Sequence, residues 1–251
     1  MPAEPPVTPA PELDALAARL LDALRAAGNP DDVAGMARFG ISSAGTLGVT
    51  MPVIRNLARD AKRQLGSRNA SGRHELAALL WASGVHEARI MAAMVDVPAL
   101  VTAAQADAWV ADLDSWDVCD KLCIDLLRLT PLAWTKAAEW TACPEEFVKR
   151  AGFALGATLA VHDKGAPDSA FAPLLAADER EATDERNMVK KALNWQLRSI
   201  GKRNAALNSA AIVTAKRILE RYPDSRSARW IARDALRELR SQPLRTRLGL
   251  S

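Results

Sequence analysis

Tyrosine occurs once in this 251-residue chain, at Tyr222, and aromatic residues together reach only 5 %. Runs rich in β-branched residues are missing too, while Ala and Leu dominate. That combination argues against sheets and for an all-helical protein. No apolar run of 18 residues occurs, so no membrane-spanning helix is expected. The opening Met1-Pro2-Ala3-Glu4-Pro5-Pro6 lacks the basic and apolar regions of a signal peptide, and a cytoplasmic protein is expected. Cys119, Cys123 and Cys143 are too few to close a disulfide framework. Cys119 and Cys123 share a helix face at i, i+4 with no histidine near to complete a zinc site, and core packing is the simpler reading. His74, His86 and His162 are scattered and form no HExxH-type pair. Walker A, GxGxxG and GxSxG patterns are absent, which leaves phosphate-cradling loops and the α/β-hydrolase elbow unsupported. Neither a metal nor a cofactor is expected.

What is present is charge, unevenly placed. The net charge is only +3, yet from Ala182 onward 16 Lys and Arg face 6 Asp and Glu, and the first 181 residues lean the other way. Such asymmetry suggests a polyanion meeting the C-terminal third.

Residues 1–11 hold five prolines and read as a disordered or extended lead. After them, helices of 8–20 residues alternate with Gly, Pro or Asn punctuation. The periodicity predicts helices from Pro11 to Gly28, over 31–39, from Pro52 to Gly66, and then near 72–82, 85–96, 105–112, 115–129 and 131–140. Further ones are expected near 144–161, 167–177, 184–203, 205–221 and 225–240. This rhythm suggests an all-α protein, an α-solenoid of HEAT-like antiparallel helix pairs of roughly 40 residues each, curved with a basic concave face. A compact irregular bundle is the other arrangement it allows. Residues 12–241 then form one repeat domain and 242–251 a flexible tail.

Three helices carry basic stripes. On the helix from Pro52, Arg55, Arg59, Lys62 and Arg63 lie opposite Val53, Ile54, Leu57, Ala61 and Leu65. On 184–203, Val189, Leu193, Leu197 and Ile200 form the buried arc, and Lys191, Trp195, Arg198 and Lys202 the opposite one. An indole among cations suits stacking on a sugar or base with the phosphates held beside it. Cation–π packing within the surface is the alternative. The last helix aligns Arg226, Arg229, Arg233, Arg237 and Arg240, a spacing that suits a phosphate backbone or a solvated capping surface.

On 115–129, Asp117, Lys121, Asp125 and Arg128 share one side, and Val118, Cys119, Leu122, Cys123 and Leu126 the other. Asp120 falls with neither, one turn after Trp116 at the edge of the apolar face. A partly desolvated carboxylate beside an indole is a candidate for chemistry; a first-turn aspartate favoured by the helix dipole is the plainer reading. On the apolar helix 144–161, Lys149 and Arg150 are the exceptions. A desolvated arginine needs an anion, either a carboxylate such as Asp120 or a ligand phosphate.

Gly48-Val49-Thr50-Met51-Pro52, Trp116-Asp117 with Asp120, Lys149-Arg150, and Lys191-Ala192 with Trp195 and Leu197-Arg198 resemble, in order and spacing, the DNA alkylation-repair glycosylases of the AlkD type. The resemblance spans roughly residues 13–240. It implies HEAT-like repeats with a basic concave surface for double-stranded DNA. It also implies hydrolysis of the N-glycosidic bond of cationic N3- or N7-alkylated purines, without a base-flipping pocket. Carried over, the catalytic aspartate falls on Asp120, the sugar-contacting tryptophans on Trp116 and Trp195, and the phosphate-binding arginine on Arg150. Lys149, Lys191, Arg198, Lys202, Arg55 and Arg59 are the further phosphate contacts expected, and the protein is expected to act as a monomer. Glu87 and Asp117 are possible assistants to Asp120. The chain departs from the pattern at 40–50, which lacks the aromatics of active members, and in its arginine-striped last helix. The alternative is a non-catalytic HEAT-repeat scaffold that binds DNA or a protein.

Overall fold

The computed structural model describes residues 10–250, and all regular secondary structure among them is helical. In the first half, α1 (Ala10–Ala26), α2 (Pro30–Ala37), α3 (Met51–Leu65), α4 (Ala70–Ala82), α5 (His86–Val95), α6 (Ala103–Ala111) and α7 (Trp116–Asp125) follow one another. In the second come α8 (Ala133–Trp140), α9 (Glu146–His162), α10 (Ala172–Arg180), α11 (Asn187–Gly201), α12 (Ala205–Arg221), α13 (Arg226–Leu239) and α14 (Gln242–Arg247). Short 3₁₀ turns cover Pro98–Leu100, Leu127–Leu129 and Asp168–Phe171. No helix among the described residues is long and apolar enough to cross a membrane. Caps fix several starts: Asn69, Thr102, Asn204 and Ser225 each accept from a backbone N–H in the first turn.

The chain divides into two compact units, one ending at Pro131 and the other beginning at Leu132. In the first, α5 packs against α3, α4 and α7, with Ala88, Met91, Ala92 and Val95 fully buried. Two of the scarce aromatics meet here. Trp81 and Trp109 stack with ring centroids 4.3 Å apart, Trp81 Nε1 donates to Asp112 Oδ2 at 3.0 Å, and the Arg89 guanidinium lies 5.4 Å from the Trp81 ring.

The second unit is layered. Helices α8, α10 and α12 contact one another in succession, as do α9, α11 and α13, and the starts of the latter three are about 40 residues apart. Side chains reach the backbone one repeat away. Arg150 Nη1 donates to the Met188 carbonyl at 2.8 Å, Asn194 Nδ2 to that of Ile231 at 3.1 Å, and Arg203 Nη1 to that of Ala160 at 2.7 Å. These bonds fix the register between stacked pairs, because each satisfies a carbonyl in a neighbouring repeat.

Three expectations need amendment. The helix expected over 115–129 ends at Asp125, where Leu126 breaks it (φ −126°, ψ −67°) before a 3₁₀ turn. Leu126 and Leu127 are 0 % and 2 % exposed, and an unbroken helix turns successive side chains about 100° apart, so the break lets both face the core. The lead expected over 1–11 lies outside the described residues as far as residue 9, and Ala10 and Pro11 belong to α1. The expected tail 242–251 contains α14, with a proline in its first turn and Leu244 buried; Ser251 lies outside the described residues.

Inside the second unit, Gln196 Nε2 donates to Asp178 Oδ1 at 3.0 Å and to the Leu174 carbonyl at 3.2 Å. Asp178 Oδ2 and Gln196 Oε1 have no partner among the described residues. Burial pushes the Asp178 carboxyl well above the usual carboxylate range, against the pull of the Gln196 amide. The native chain therefore holds this proton longer than the unfolded chain does, and the residue costs stability as pH rises through the range between the two pKa values. Asp178→Asn keeps an acceptor oxygen for the Gln196 amide and removes that cost. It should raise the melting temperature at neutral pH by several degrees, with the gap closing towards about pH 4; a gap that ignores pH would refute the assignment.

Candidate functional site

At the start of α5, two adjacent residues tie three segments together. Glu87 is 1 % exposed, and its carboxylate accepts from the backbone N–H groups of Leu47 (3.0 Å), Gly48 (2.7 Å) and Val49 (3.1 Å). Three aligned donors compensate a buried negative charge without a cation. Gly48 has a φ of +77°, and a Cβ there would lie 2.2 Å from the Asn29 carbonyl oxygen, so only glycine fits. The same loop accepts from Asn29 N–H at the Leu47 carbonyl (2.8 Å), which anchors the start of α2. His86, beside Glu87, donates its backbone N–H to the Gly45 carbonyl at 2.9 Å and places Nε2 2.8 Å from Asp117 Oδ2. Asp117 also accepts from Ser115 Oγ at 2.7 Å. Burial works to raise the Asp117 pKa, but the bonds from His86, Ser115 and the Val118 backbone outweigh it and hold the carboxyl below its ordinary range.

This network sets the first residue of α7. Trp116 is half-buried, its Nε1 donates to the Phe39 carbonyl at 3.1 Å, and its indole closes one wall of a pocket of about 490 Å³. Met36, Phe39, Ile41, Val49 and Thr50 supply most of the remaining side chains and Asp32 a carboxylate, so the pocket is largely apolar. Phe39 is 76 % exposed on a helix–loop segment in which α2 buries no residue. Asp120 lies one turn further along α7 and is half-buried. Both suggested assistants are committed elsewhere, Glu87 to the 47–49 loop and Asp117 to His86 and Ser115.

The expected cations fall into two groups. Arg55 and Arg59 are exposed on α3, and Lys191 is exposed on α11 in the turn before the half-buried Trp195. The others bond to protein groups far along the chain. Lys149, 8 % exposed, reaches Glu181 Oε2 at 2.5 Å and Asp184 Oδ2 at 3.7 Å, an internal bridge. Although burial opposes it, that bridge and Arg180 lower the Glu181 pKa. Arg150, 5 % exposed, spends Nη1 on Met188, as the backbone of the next repeat passes beside it. Arg198 Nη1 and Lys202 Nζ both hold Glu238, at 2.7 and 2.9 Å.

Glu238 and Glu181 give no signal in the sequence, and Glu87 is expected there beside Asp120 and not at the 47–49 loop, because each acts on a residue 32 to 40 positions away. The sequence reading also missed Trp230, an exposed indole within the arginine stripe of α13. Among the described residues, no group of three or more His, Cys, Asp or Glu is arranged to hold a metal.

The described helices form a HEAT-like repeat fold. A solved structure described as "a new family of proteins related to the HEAT-like repeat DNA glycosylases with affinity for branched DNA structures" is similar to this chain, with a TM-score of 0.68 and 20 % identity. The match covers 79 % of this chain and 81 % of that one. No curated protein matches by sequence. The model of the DNA alkylation repair enzyme family matches residues 20–239, and the chain belongs to that family.

If the Glu87 carboxylate holds the pocket together, Glu87→Ala leaves buried N–H groups without an acceptor and should destabilise the protein by about 3 kcal/mol or more in chemical denaturation. Limited proteolysis should then cut first within 40–50. Unchanged stability and cleavage would show that the loop is held by other means.

Proposed function

We propose that the protein is a monofunctional DNA glycosylase that hydrolyses the N-glycosidic bond of cationic N3- or N7-alkylated purines. The observation that carries this reading is the pairing on α7 of a half-buried carboxylate, Asp120, with the half-buried indole of Trp116 one turn before it, in a member of the DNA alkylation repair enzyme family.

The chemistry follows from the leaving group. A cationic base departs without being protonated, so no general acid is required. What remains is stabilising the positive charge that grows on the deoxyribose and placing a water for attack. A carboxylate does both, and the electron-rich face of Trp116 favours the developing cation. Asp120 is assigned as the catalytic carboxylate and Trp116 as the sugar contact. Trp195 is assigned a deoxyribose contact, and Arg150 and Lys191 phosphate contacts, with Arg55 and Arg59 adding long-range attraction. Lys149, Arg198 and Lys202 serve DNA by exchanging their carboxylate partners for phosphate.

The second reading is binding without base removal. The pairing of Lys149, Arg198 and Lys202 with carboxylates favours it, as does the affinity for branched DNA attributed to the similar structure.

Incubation with duplex DNA carrying 7-methylguanine separates the two. The wild-type protein should release the base, and Asp120→Asn should slow release by roughly a hundredfold or more. Binding without release by wild type would overturn the enzymatic reading for that lesion, and release unchanged in Asp120→Asn would overturn the mechanism. Glu238→Gln frees Arg198 and Lys202 for phosphate. It should tighten DNA binding and steepen the salt dependence, by about one unit of log–log slope for each cation gained. Weaker binding would mean that the bridge positions the cations instead of occupying them.

A further inference from the structure

The arginine stripe of α13 has no part in the chemistry above, and its surroundings suggest a task of its own. Arg226, Arg229, Arg233 and Arg237 line a groove of about 500 Å³ together with Trp230 and Asp234. The opposite face of the helix makes the core contacts, with Ala228, Ile231, Ala232, Ala235 and Leu239 all 0 % exposed. Trp230 is therefore not needed for packing there, and 42 % of it is exposed. From α11, Lys190 brings its Nζ to 5.9 Å from the indole centroid. The one carboxylate in the groove, Asp234, is already held by Arg237 and lies 3.7 Å from Arg198 Nε.

An internal cation–π contact accounts for Lys190, Asp234 for Arg237 and the Pro223 carbonyl (3.2 Å) for Arg229 Nη1, but Arg226 and Arg233 stand at the same groove with no partner among the described residues. Guanidinium groups match phosphate oxygens in shape and charge, and an exposed indole offers a flat surface for a base. In an intact duplex both faces of each base are already covered by neighbours, so the indole gains a partner only where a base is unpaired. Resting on the DNA-binding reading above, we infer that the α13 groove binds an unpaired nucleotide on a single-stranded arm of DNA. Trp230 stacks on the base, and Arg226, Arg229, Arg233 and Arg237 hold the flanking phosphates.

The test compares two fluorescent probes, a blunt duplex and the same duplex carrying a single-stranded arm, by anisotropy with the full-length protein. Wild type should prefer the armed probe. Trp230→Ala should weaken binding of that probe by roughly tenfold and leave the blunt duplex as before, and Trp230→Phe should keep most of the preference. Arg233→Gln combined with Arg237→Gln should weaken armed-probe binding and flatten its salt dependence. Thermal unfolding of each variant should match wild type, since the substituted side chains face solvent. Equal wild-type affinity for both probes, or equal loss on both in Trp230→Ala, overturns the groove assignment while the DNA reading stands. Failure of wild type to bind either probe overturns both.

Discussion

A buried carboxylate held by three backbone N–H groups is the constraint on which the first unit depends. Glu87 has no room to leave its place, because its charge is compensated only while Leu47, Gly48 and Val49 point their amides at it. The loop so fixed carries the anchor for α2, and α2 with its following residues supplies Met36, Phe39 and Ile41 to the pocket. The neighbouring His86 does the same for the other wall by holding Asp117, the residue after Trp116. Two consecutive side chains at one helix start therefore decide where an apolar pocket and its indole stand. Asp120 is positioned as a consequence, since it rides on the helix whose first turn His86 fixes.

The second unit is organised by repetition. Each pair of helices buries its apolar faces against the next, and arginines and amides reach across to carbonyls about one repeat away. Polar groups inside this stack are costly unless each is satisfied, which explains why Lys149 and Arg150 are bonded internally. Gln196 and Asp178 are only partly satisfied, and there burial raises the carboxyl's pKa and so favours its neutral form.

Charge on this protein consequently has two different uses. Some cations stabilise the helical stack through carboxylates and carbonyls; others, on α3, α11 and α13, remain towards solvent where phosphate is a suitable partner. Membership of the DNA alkylation repair enzyme family gives those exposed cations a polyanion to meet. The bridges of Arg198 and Lys202 to Glu238 lie between the two uses, because the half-buried carboxylate holds the donors proposed for phosphate.

The amino-acid sequence by itself determined the helices and their faces. Val189, Leu193, Leu197 and Ile200 recur at the helical period and are all fully buried, as are Cys119, Leu122 and Cys123 on α7. It also brought Trp116 and Asp120 together, because four residues make one helical turn and no tertiary contact is needed for that. Tertiary structure alone decided what faces each polar position. Nothing local to Lys149 announces Glu181, nothing near Arg198 announces Glu238, and nothing near Glu87 announces the 47–49 loop that folds onto it. The turn that ends α7 early and the exposure of Trp230 belong with these. Periodicity reports which side of a helix is apolar, whereas the partner of a charged side chain is set by packing between segments some 40 residues apart.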